Sequence, residues 1–322
     1  MTRAKTLRIL RWVLYPVVYL VTFAISLSAF FPFDAVKQRE IDLFNAQQRA
    51  GQRVSVVEHV ESYWVTGVRL QKLKLTTPNT DSSKPPTELQ VDELTARLQL
   101  LPLFIGKRVV KFDAVVMGGT VSGSIELGSK ERIVDITAKG LALGEVTPLT
   151  QAIGLPAEGT LSGVAHLQLP EGKPSKANGT VKLELADMAL GDGKTGLGLP
   201  KFNIGTLPIE AEAKDGVVKI ARFSVSGRDL ELQGDGKLTL RDGSLNEAQG
   251  DLSFRFRFSE SYKGKNEQTK TLLQGPRSLL EMTQSAAKTP EGYFGWSMTG
   301  PLGRSTPIPN SQVDATLGKG KK

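Results

Sequence analysis

The sequence contains no cysteine in its 322 residues and only two histidines. Without cysteine there is no thiolate nucleophile, no iron–sulfur cluster and no cysteine-ligated zinc. His59 and His166 are far apart, neither belongs to an H-E-x-x-H motif, and no G-x-S-x-G nucleophile motif is present. A single histidine on a strand is usually a solvated surface residue. We therefore predict a protein that is not an enzyme and that uses no metal or cofactor.

The chain also has little net charge away from its two ends. Of the formal charge of +8, residues 1–11 carry four and the tail from Ser311 carries two, which leaves two for residues 12–310. A basic face for phosphate groups is therefore not needed to explain the charge of the whole chain. The sequence predicts no nucleic-acid partner.

One long apolar run is present. The 22 residues from Trp12 to Phe33 contain no charge, and a helix of that length spans the roughly 30 Å hydrocarbon core of a bilayer. We predict a transmembrane helix over 12–33, with a cleaved signal peptide as the alternative. The residues expected to anchor the chain are Trp12, Tyr15, Val21, Ile25, Phe30 and Phe33.

Basic residues before this run predict its orientation. By the positive-inside rule they keep the N-terminal segment, 1–11, in the cytoplasm. The main part of the chain then lies on the far side of the membrane. The topology residues are Arg3, Lys5, Arg8 and Arg11.

The pattern changes after the anchor. Residues 34–52 have a partial apolar stripe with helical spacing and predict a helical stalk. From residue 53, apolar and polar residues alternate with the two-residue period of strands. One apolar and one polar face indicate an antiparallel sheet, because parallel sheets bury both faces. We expect a mainly β chain: a transmembrane helix, then an extended, repetitive antiparallel sheet over 53–303 with a few short helices, and a disordered basic tail over 304–322.

Turn signals and a weak repeat organise the strands. Asp-Gly supplies the positive φ that tight hairpin turns require, and such pairs occur at Asp192-Gly193, Asp215-Gly216, Asp235-Gly236 and Asp242-Gly243. A glycine followed by an alternating strand recurs at 119–127, 159–169, 179–185, 234–240 and 250–256. Two interpretations remain open: a turn glycine that enters each strand, or a repetitive sheet that grows by adding strands.

Smaller features interrupt the alternation. A change of phase between Leu70 and Leu73 predicts a β-bulge. Composition predicts loops over 76–88 and 259–270, short helices over 144–154 and 276–288, and a last strand over 293–298.

Phe254, Phe256 and Phe258 place three aromatic rings on one face of a predicted strand. They are either the core of that sheet face or part of an exposed apolar groove. Such a groove could hold acyl chains, since burying each methylene contributes about 0.8 kcal/mol.

The order of several strand-and-turn stretches carries a family resemblance. The first stretches read LTARLQLLPLFIGKRVVKFDAVVMGGTVSGSIEL and LALGEVTPLTQAIGLPAEGTLSGVAHLQLP, and the later ones include SGRDLELQGDGKLTL at 226–240 and EGYFGWSMTGPLG near the end. Together with the anchor they resemble the long form of the GspN family, protein N of the bacterial type II secretion system. The likeness covers about residues 10–303.

This resemblance implies a non-catalytic protein of the bacterial inner membrane with a periplasmic β domain, which assists the apparatus that exports folded proteins. Its partners would be the membrane and other secretion-system subunits. The family has no catalytic residues to carry over to this chain. The LLPLFIGKRVV and GTLSG stretches also look like AsmA-like envelope proteins, whose repetitive β grooves are linked to lipid traffic; on that alternative the ligand is a lipid.

Overall fold

The computed structural model describes residues 42, 53–64, 66–77, 87–128, 130–145, 156–194, 200–242, 247–274, 278–302 and 305–313. The predicted topology and anchor residues lie outside this part of the chain, and of the predicted stalk only Asp42 is described, in a helical state. No helix within the described ranges is long and apolar enough to cross a bilayer.

The described residues are mainly strand, as predicted. Fourteen strands are present: β1 (Arg53–Tyr63), β2 (Gly67–Thr77), β3 (Thr87–Leu98), β4 (Arg108–Val116), β5 (Gly119–Leu127), β6 (Glu131–Ala142), β7 (Ala157–Pro170), β8 (Asn178–Leu190), β9 (Phe202–Lys214), β10 (Val217–Ser226), β11 (Leu230–Thr239), β12 (Gln249–Phe258), β13 (Phe294–Pro301) and β14 (Ile308–Pro309).

All fourteen strands belong to one antiparallel sheet, and each pairs with the next in the chain. Strands in a sheet lie about 4.8 Å apart, so the sheet extends for roughly 60 Å across its strands. The glycine-led repeats at 119–127, 159–169, 179–185, 234–240 and 250–256 fall on β5, β7, β8, β11 and β12. The sheet thus grows by adding hairpins, as the second interpretation of the repeat expects.

Successive connections alternate between the two ends of the strands. We call the end that carries the connections after β2, β4, β6, β8, β10 and β12 the covered end, and the opposite end the open end. The β12–β13 connection at the covered end holds three helices: α2 (Glu260–Lys263), α3 (Glu267–Leu273) and α4 (Leu279–Gln284), followed by a 3₁₀ turn, Ser285–Ala287. Helix α1 (Leu100–Leu103) lies at the open end.

Two of these helices correct a prediction. Residues 259–270 were expected to form a solvated loop, but they contain α2 and most of α3. The Ser259 side chain caps α2 by accepting from the Tyr262 N–H, and Asn266 and Thr269 form a reciprocal capping box on α3. The helix predicted over 276–288 is present as α4 with its 3₁₀ turn. Of the helix predicted over 144–154, only a 3₁₀ turn, Leu143–Glu145, is described.

Turn chemistry is confirmed at one Asp-Gly pair and wrong at another. Asp215 and Gly216 have φ of 48° and 77° and close the β9–β10 hairpin. Asp235 and Gly236 instead lie inside β11, paired with β12 on one side, and Gly236 also pairs with β10. Asp192-Gly193 follows β8 and Asp242 follows β11, while Gly243 is outside the described residues.

The predicted phase change in β2 is present, but it is not a bulge. Between Leu70 and Leu73 the register with both neighbouring strands is unchanged. Lys72 instead has a φ of 52°, and its ammonium lies 2.8 Å from the Glu58 carboxylate. A left-handed residue here reorients the backbone so that both leucines reach the same face.

The chain also returns to the sheet after Leu302, where little burial was expected. Residues of β14 pair with Trp296 and Ser297 of β13, and Val313 is fully buried. The predicted disordered tail therefore begins too early, at least for residues 305–313. The predicted last strand, 293–298, is present as β13.

Candidate functional site

One face of the sheet is apolar across its whole width. The central row of this apolar face takes one residue from each strand from β1 to β13, and none is charged: Ser62, Val68, Ala96, Phe112, Gly123, Ile136, Ala165, Val181, Ala211, Ile220, Gly236, Leu252 and Met298. The strand register therefore joins separate alternating patterns into one continuous surface.

The opposite face, which we call the outer face, is polar. Its adjacent row runs from β3 to β13 through Arg97, Lys111, Ser124, Asp135, His166, Thr180, Glu212, Lys219, Lys237, Asp251 and Thr299. No apolar residue occurs in this row, so the two faces have opposite solvation preferences. Only the apolar face gains by taking up hydrocarbon.

The apolar face is more sheltered than the outer face, although both belong to the same single sheet. On the outer face, Val164 and Val115 are 50% and 42% exposed, whereas Val121, Val134 and Val181 on the apolar face are half-buried. A bend toward the apolar face brings its side chains together and shelters them. From this shelter, together with the register shifts within the strands, we infer that the sheet bends toward its apolar face and makes it a groove.

Bulges supply the local bends. The pairing register shifts within β1, β3, β6, β7, β8 and β10. A bulge bends its strand and increases the local twist. Most of these shifts lie in the half of the sheet toward the covered end.

Within the described residues, helices close the groove at its covered end. The larger hydrophobic cluster lies there: Leu143, Ala157, Met188, Leu190, Phe202, Ile204, Leu207, Val225, Leu230, Phe258, Tyr262, Leu273, Leu280, Ala287 and Phe294. A smaller cluster of Val57, Leu73, Val91, Val116 and Leu141 continues it across β1 to β6. Among the described residues, no helix packs over the central row between β1 and β8.

The three phenylalanines of β12 divide between core and groove. Phe258 is 5% exposed and stacks on Tyr262 with ring centroids 5.3 Å apart. Phe256 stacks on Trp296 at 5.0 Å and Phe254 on the same indole at 6.0 Å, and both phenylalanines remain partly exposed. Phe258 is thus core, while Phe254 and Phe256 form the groove floor beside it.

A buried arginine on the outer face anchors β13 and its preceding loop. Arg255 is 7% exposed, and its Nε and Nη2 donate to Gln233 Oε1 at 3.1 and 2.9 Å. Its Nη1 donates to Glu291 at 3.0 Å. The guanidinium also lies over the Tyr293 ring, 4.4 Å from the centroid. Burial of this charge is therefore compensated from three sides.

Tyr293 extends the same cluster to Glu231. Its hydroxyl donates to Glu231 Oε2 at 2.7 Å, and Arg257 donates to the same oxygen at 2.8 Å. The hydrogen bond from Tyr293 is the main cause that lowers the pKa of Glu231, while burial, with the neighbouring carboxylate, raises the pKa of Tyr293. Each charge has a partner, so this cluster fastens the sheet rather than offering a reactive group.

The two histidines do not form a site. His59 is exposed on β1 with Glu61 at 4.0 Å, and His166 is exposed on β7 with its Nδ1 2.5 Å from Asp135 Oδ1. They lie on different strands, separated by five others. No group of three or more metal-ligating side chains occurs in the described part of the chain.

The open end carries an exposed apolar segment that the sequence analysis did not predict. Helix α1 and the residues after it, LLPLFI at 100–105, connect β3 to β4. We call this segment, together with Trp64 in the β1–β2 connection, the apolar tip. The run of apolar residues can be read from the sequence, but the exposure of their side chains cannot.

The chain matches no protein-family model, no curated protein and no solved structure.

Proposed function

We propose that this chain is a membrane-anchored envelope protein whose groove binds the acyl chains of lipids. One observation carries the proposal: the central row of the apolar face runs without a charge through thirteen strands, and in the part of the chain that the structure describes helices cover this face only at one end. An apolar surface of this width on a soluble domain indicates a binding surface.

The chemistry of the face favours hydrocarbon over a folded partner. The backbone groups of its strands are already paired within the sheet, and its side chains offer few polar atoms to fix an orientation. Recognition then depends on apolar area alone, at about 0.8 kcal/mol per buried methylene. Acyl chains supply apolar area in any orientation, whereas a folded partner would need a surface that matches the face in shape.

Photo-crosslinking in the full chain tests the lipid groove. p-Benzoylphenylalanine would replace Ile136 or Leu183 on the apolar face, or Val164 on the outer face as the matched control. After irradiation of cells, mass spectrometry of the purified protein should show phospholipid adducts at the first two positions and none at the third. Absence of adducts at Ile136 and Leu183, or equal adducts at all three, would contradict the groove.

We propose as a second function that the chain is a non-catalytic, inner-membrane-anchored periplasmic component of the type II secretion system. The resemblance to the GspN family motivates this proposal, and strand β1 supports it. Among the described residues β1 pairs in the sheet only with β2, so its other edge is the place where a strand from another subunit could add. The groove and this assembly role are compatible in one protein.

A gene deletion in the native host separates the two functions. If the chain assists secretion, exported enzymes should accumulate folded in the periplasm and return to the medium on complementation. If lipid binding is its main task, secretion should stay normal while the envelope leaks or its lipid composition shifts. Normal secretion with an unchanged envelope would contradict both proposals in that host.

A further inference from the structure

The apolar tip exposes six large apolar side chains at one end of the sheet, and large exposed apolar patches mark interaction sites. Leu101, Phe104 and Ile105 are 82%, 86% and 74% exposed, and Leu100 and Leu103 are about half exposed. Trp64 is 69% exposed. These side chains project from the open end, away from both hydrophobic clusters.

Hydrogen bonds hold the tip in place. The Leu98 N–H donates to the Thr66 carbonyl at 3.2 Å, and the Thr66 hydroxyl donates to the Leu98 carbonyl at 2.7 Å. These bonds join the Trp64 turn to the strand that leads into LLPLFI. Arg97 lies over the Trp64 ring at 5.7 Å. The exposed side chains of both connections therefore stand on a hydrogen-bonded frame at the same end of the sheet.

The charged residues within the tip segment and its two flanks are all basic. The segment 97–112 contains Arg97, Lys107, Arg108 and Lys111 and no acidic residue. Lys107 is paired with Glu126 across the hairpin at 2.9 Å, while Arg108 and Lys111 are exposed. Protruding leucine, phenylalanine and tryptophan flanked by basic residues are the composition that inserts at an anionic bilayer surface.

The tip is also continuous with the groove. Leu98 and Val110, at the two ends of the tip segment, pair with each other on the apolar face. Their row continues through Ile125, Val134 and Leu167 on β5, β6 and β7. The tip and the groove are therefore joined along β3, where Leu98 comes shortly before Leu100, while Arg108 lies on the same face at the start of β4.

We propose that the apolar tip inserts into the surface of an anionic phospholipid bilayer and forms the lip through which acyl chains enter the groove. The inference rests on the proposed lipid-binding function and adds the place of entry. A protein partner at the tip is the competing occupant, and the test distinguishes it.

The absence of cysteine makes a direct test available in the full chain. Leu101→Cys and Phe104→Cys would be labelled with the fluorophore NBD, with Val164→Cys on the outer face as the matched control. The labelled chains would be placed in nanodiscs of phosphatidylcholine and phosphatidylglycerol that contain spin-labelled lipid. We expect at least twofold quenching at both tip positions and none at the control. Unquenched tip labels on a chain that co-purifies with the nanodisc would overturn the proposal, and shielded but unquenched labels would indicate a protein occupant instead.

A second variant links the tip to the groove. Leu101→Glu with Phe104→Glu changes side chains that are exposed, so the fold should be retained, with Val164→Glu as the control. We expect the lipid adduct at Ile136 to fall at least fivefold in the tip variant and to stay unchanged in the control. If the adduct persists, lipid enters elsewhere and the groove still stands. If neither the parent nor the tip variant gives a lipid adduct at Ile136 although the NBD label at the tip is quenched, the groove proposal fails. The tip would then dock on the bilayer without passing lipid to the groove.

Discussion

Tyr262 fastens the helices of the covered end to the sheet. Tyr262 is 1% exposed, and its ring stacks on the ring of Phe258. The same ring packs edge-on against Phe202, with the two ring centroids 5.8 Å apart. Its hydroxyl donates to the Pro200 carbonyl. Burial, followed by the nearby charge of Asp229, raises the pKa of Tyr262 to about 12. A single residue thus joins the start of β9, the end of β12 and helix α2.

This pKa predicts a loss of stability in alkaline solution. An unfolded tyrosine ionises near pH 10, whereas the folded one holds its proton to about 12. Between these values the unfolded state has lost the proton and the folded state has kept it, so the free energy of unfolding falls as pH rises, by about 2 kcal/mol at pH 12.

Urea denaturation at pH 9 and at pH 11.5 measures the effect. The wild type should lose more stability between the two pH values than Tyr262→Phe, which keeps the ring but has no proton to lose. Tyr63→Phe on edge strand β1 is the control and should follow the wild type. Parallel pH dependence of the wild type and Tyr262→Phe would show that this hydroxyl does not control the alkaline transition.

At the scale of elements, alternation predicted the strands because it is a local property. In β12 the apolar residues at 254, 256 and 258 alternate with Arg255 and Arg257, and the register then places them on one face. The Asp-Gly pairs predicted turns less dependably, because such a pair favours a turn but does not prevent the chain from continuing as a strand. At Asp235-Gly236 the pairing of β10, β11 and β12 overrides it.

Helices α2 and α3 show where local reasoning fails. Their residues are mostly charged or polar, which resembles a solvated loop. Only Tyr262, Thr269 and Leu273 are buried on them, too few for a clear helical period. Packing on the covered end and the capping interactions determine these helices, and neither follows from the spacing of apolar residues.

Glycine occupies some positions within strands because of side chains on the neighbouring strand. A Cβ at Gly123 would lie 2.7 Å from the Phe112 ring, and one at Gly234 would lie 2.5 Å from the Phe223 ring. In each pair the ring of one strand covers the glycine of the next. These glycines make room for cross-strand rings on the apolar face, and Gly234, which leads the repeat at 234–240, reflects packing and not a turn.

For the whole molecule, the sequence predicted an apolar face but not its coverage. The same phenylalanine pattern fits a closed core and an open groove, and the difference depends on whether residues distant in the chain fold over it. The structure places α2 to α4 over Phe258 and leaves the row through Phe112 and Ile136 uncovered among the described residues. The apolar tip was missed for the same reason, because exposure is a property of the assembled sheet.

The order of the strands makes stability uneven along the sheet. Each strand pairs only with its chain neighbours, as in a repeat protein, so local stability follows local burial. The cluster across β7 to β13 contains fifteen buried residues, whereas that across β1 to β6 contains five. We therefore expect amide hydrogen exchange of the lipid-free full chain to be faster in β3 to β6 than in β8 to β13.

Lipid should reduce this difference, since it adds apolar contacts where the sheet has few of its own. On loading with phosphatidylglycerol, exchange in β3 to β6 should slow several-fold more than in β8 to β13, whose helices already cover the face. A variant with Ile136→Glu, which places a charge in the groove, should keep the uneven exchange but lose the response to lipid. Uniform exchange along the sheet of the lipid-free chain would mean that the sheet unfolds as one unit. If lipid slowed exchange only in β8 to β13, the lipid would lie under the helices instead of in the open groove.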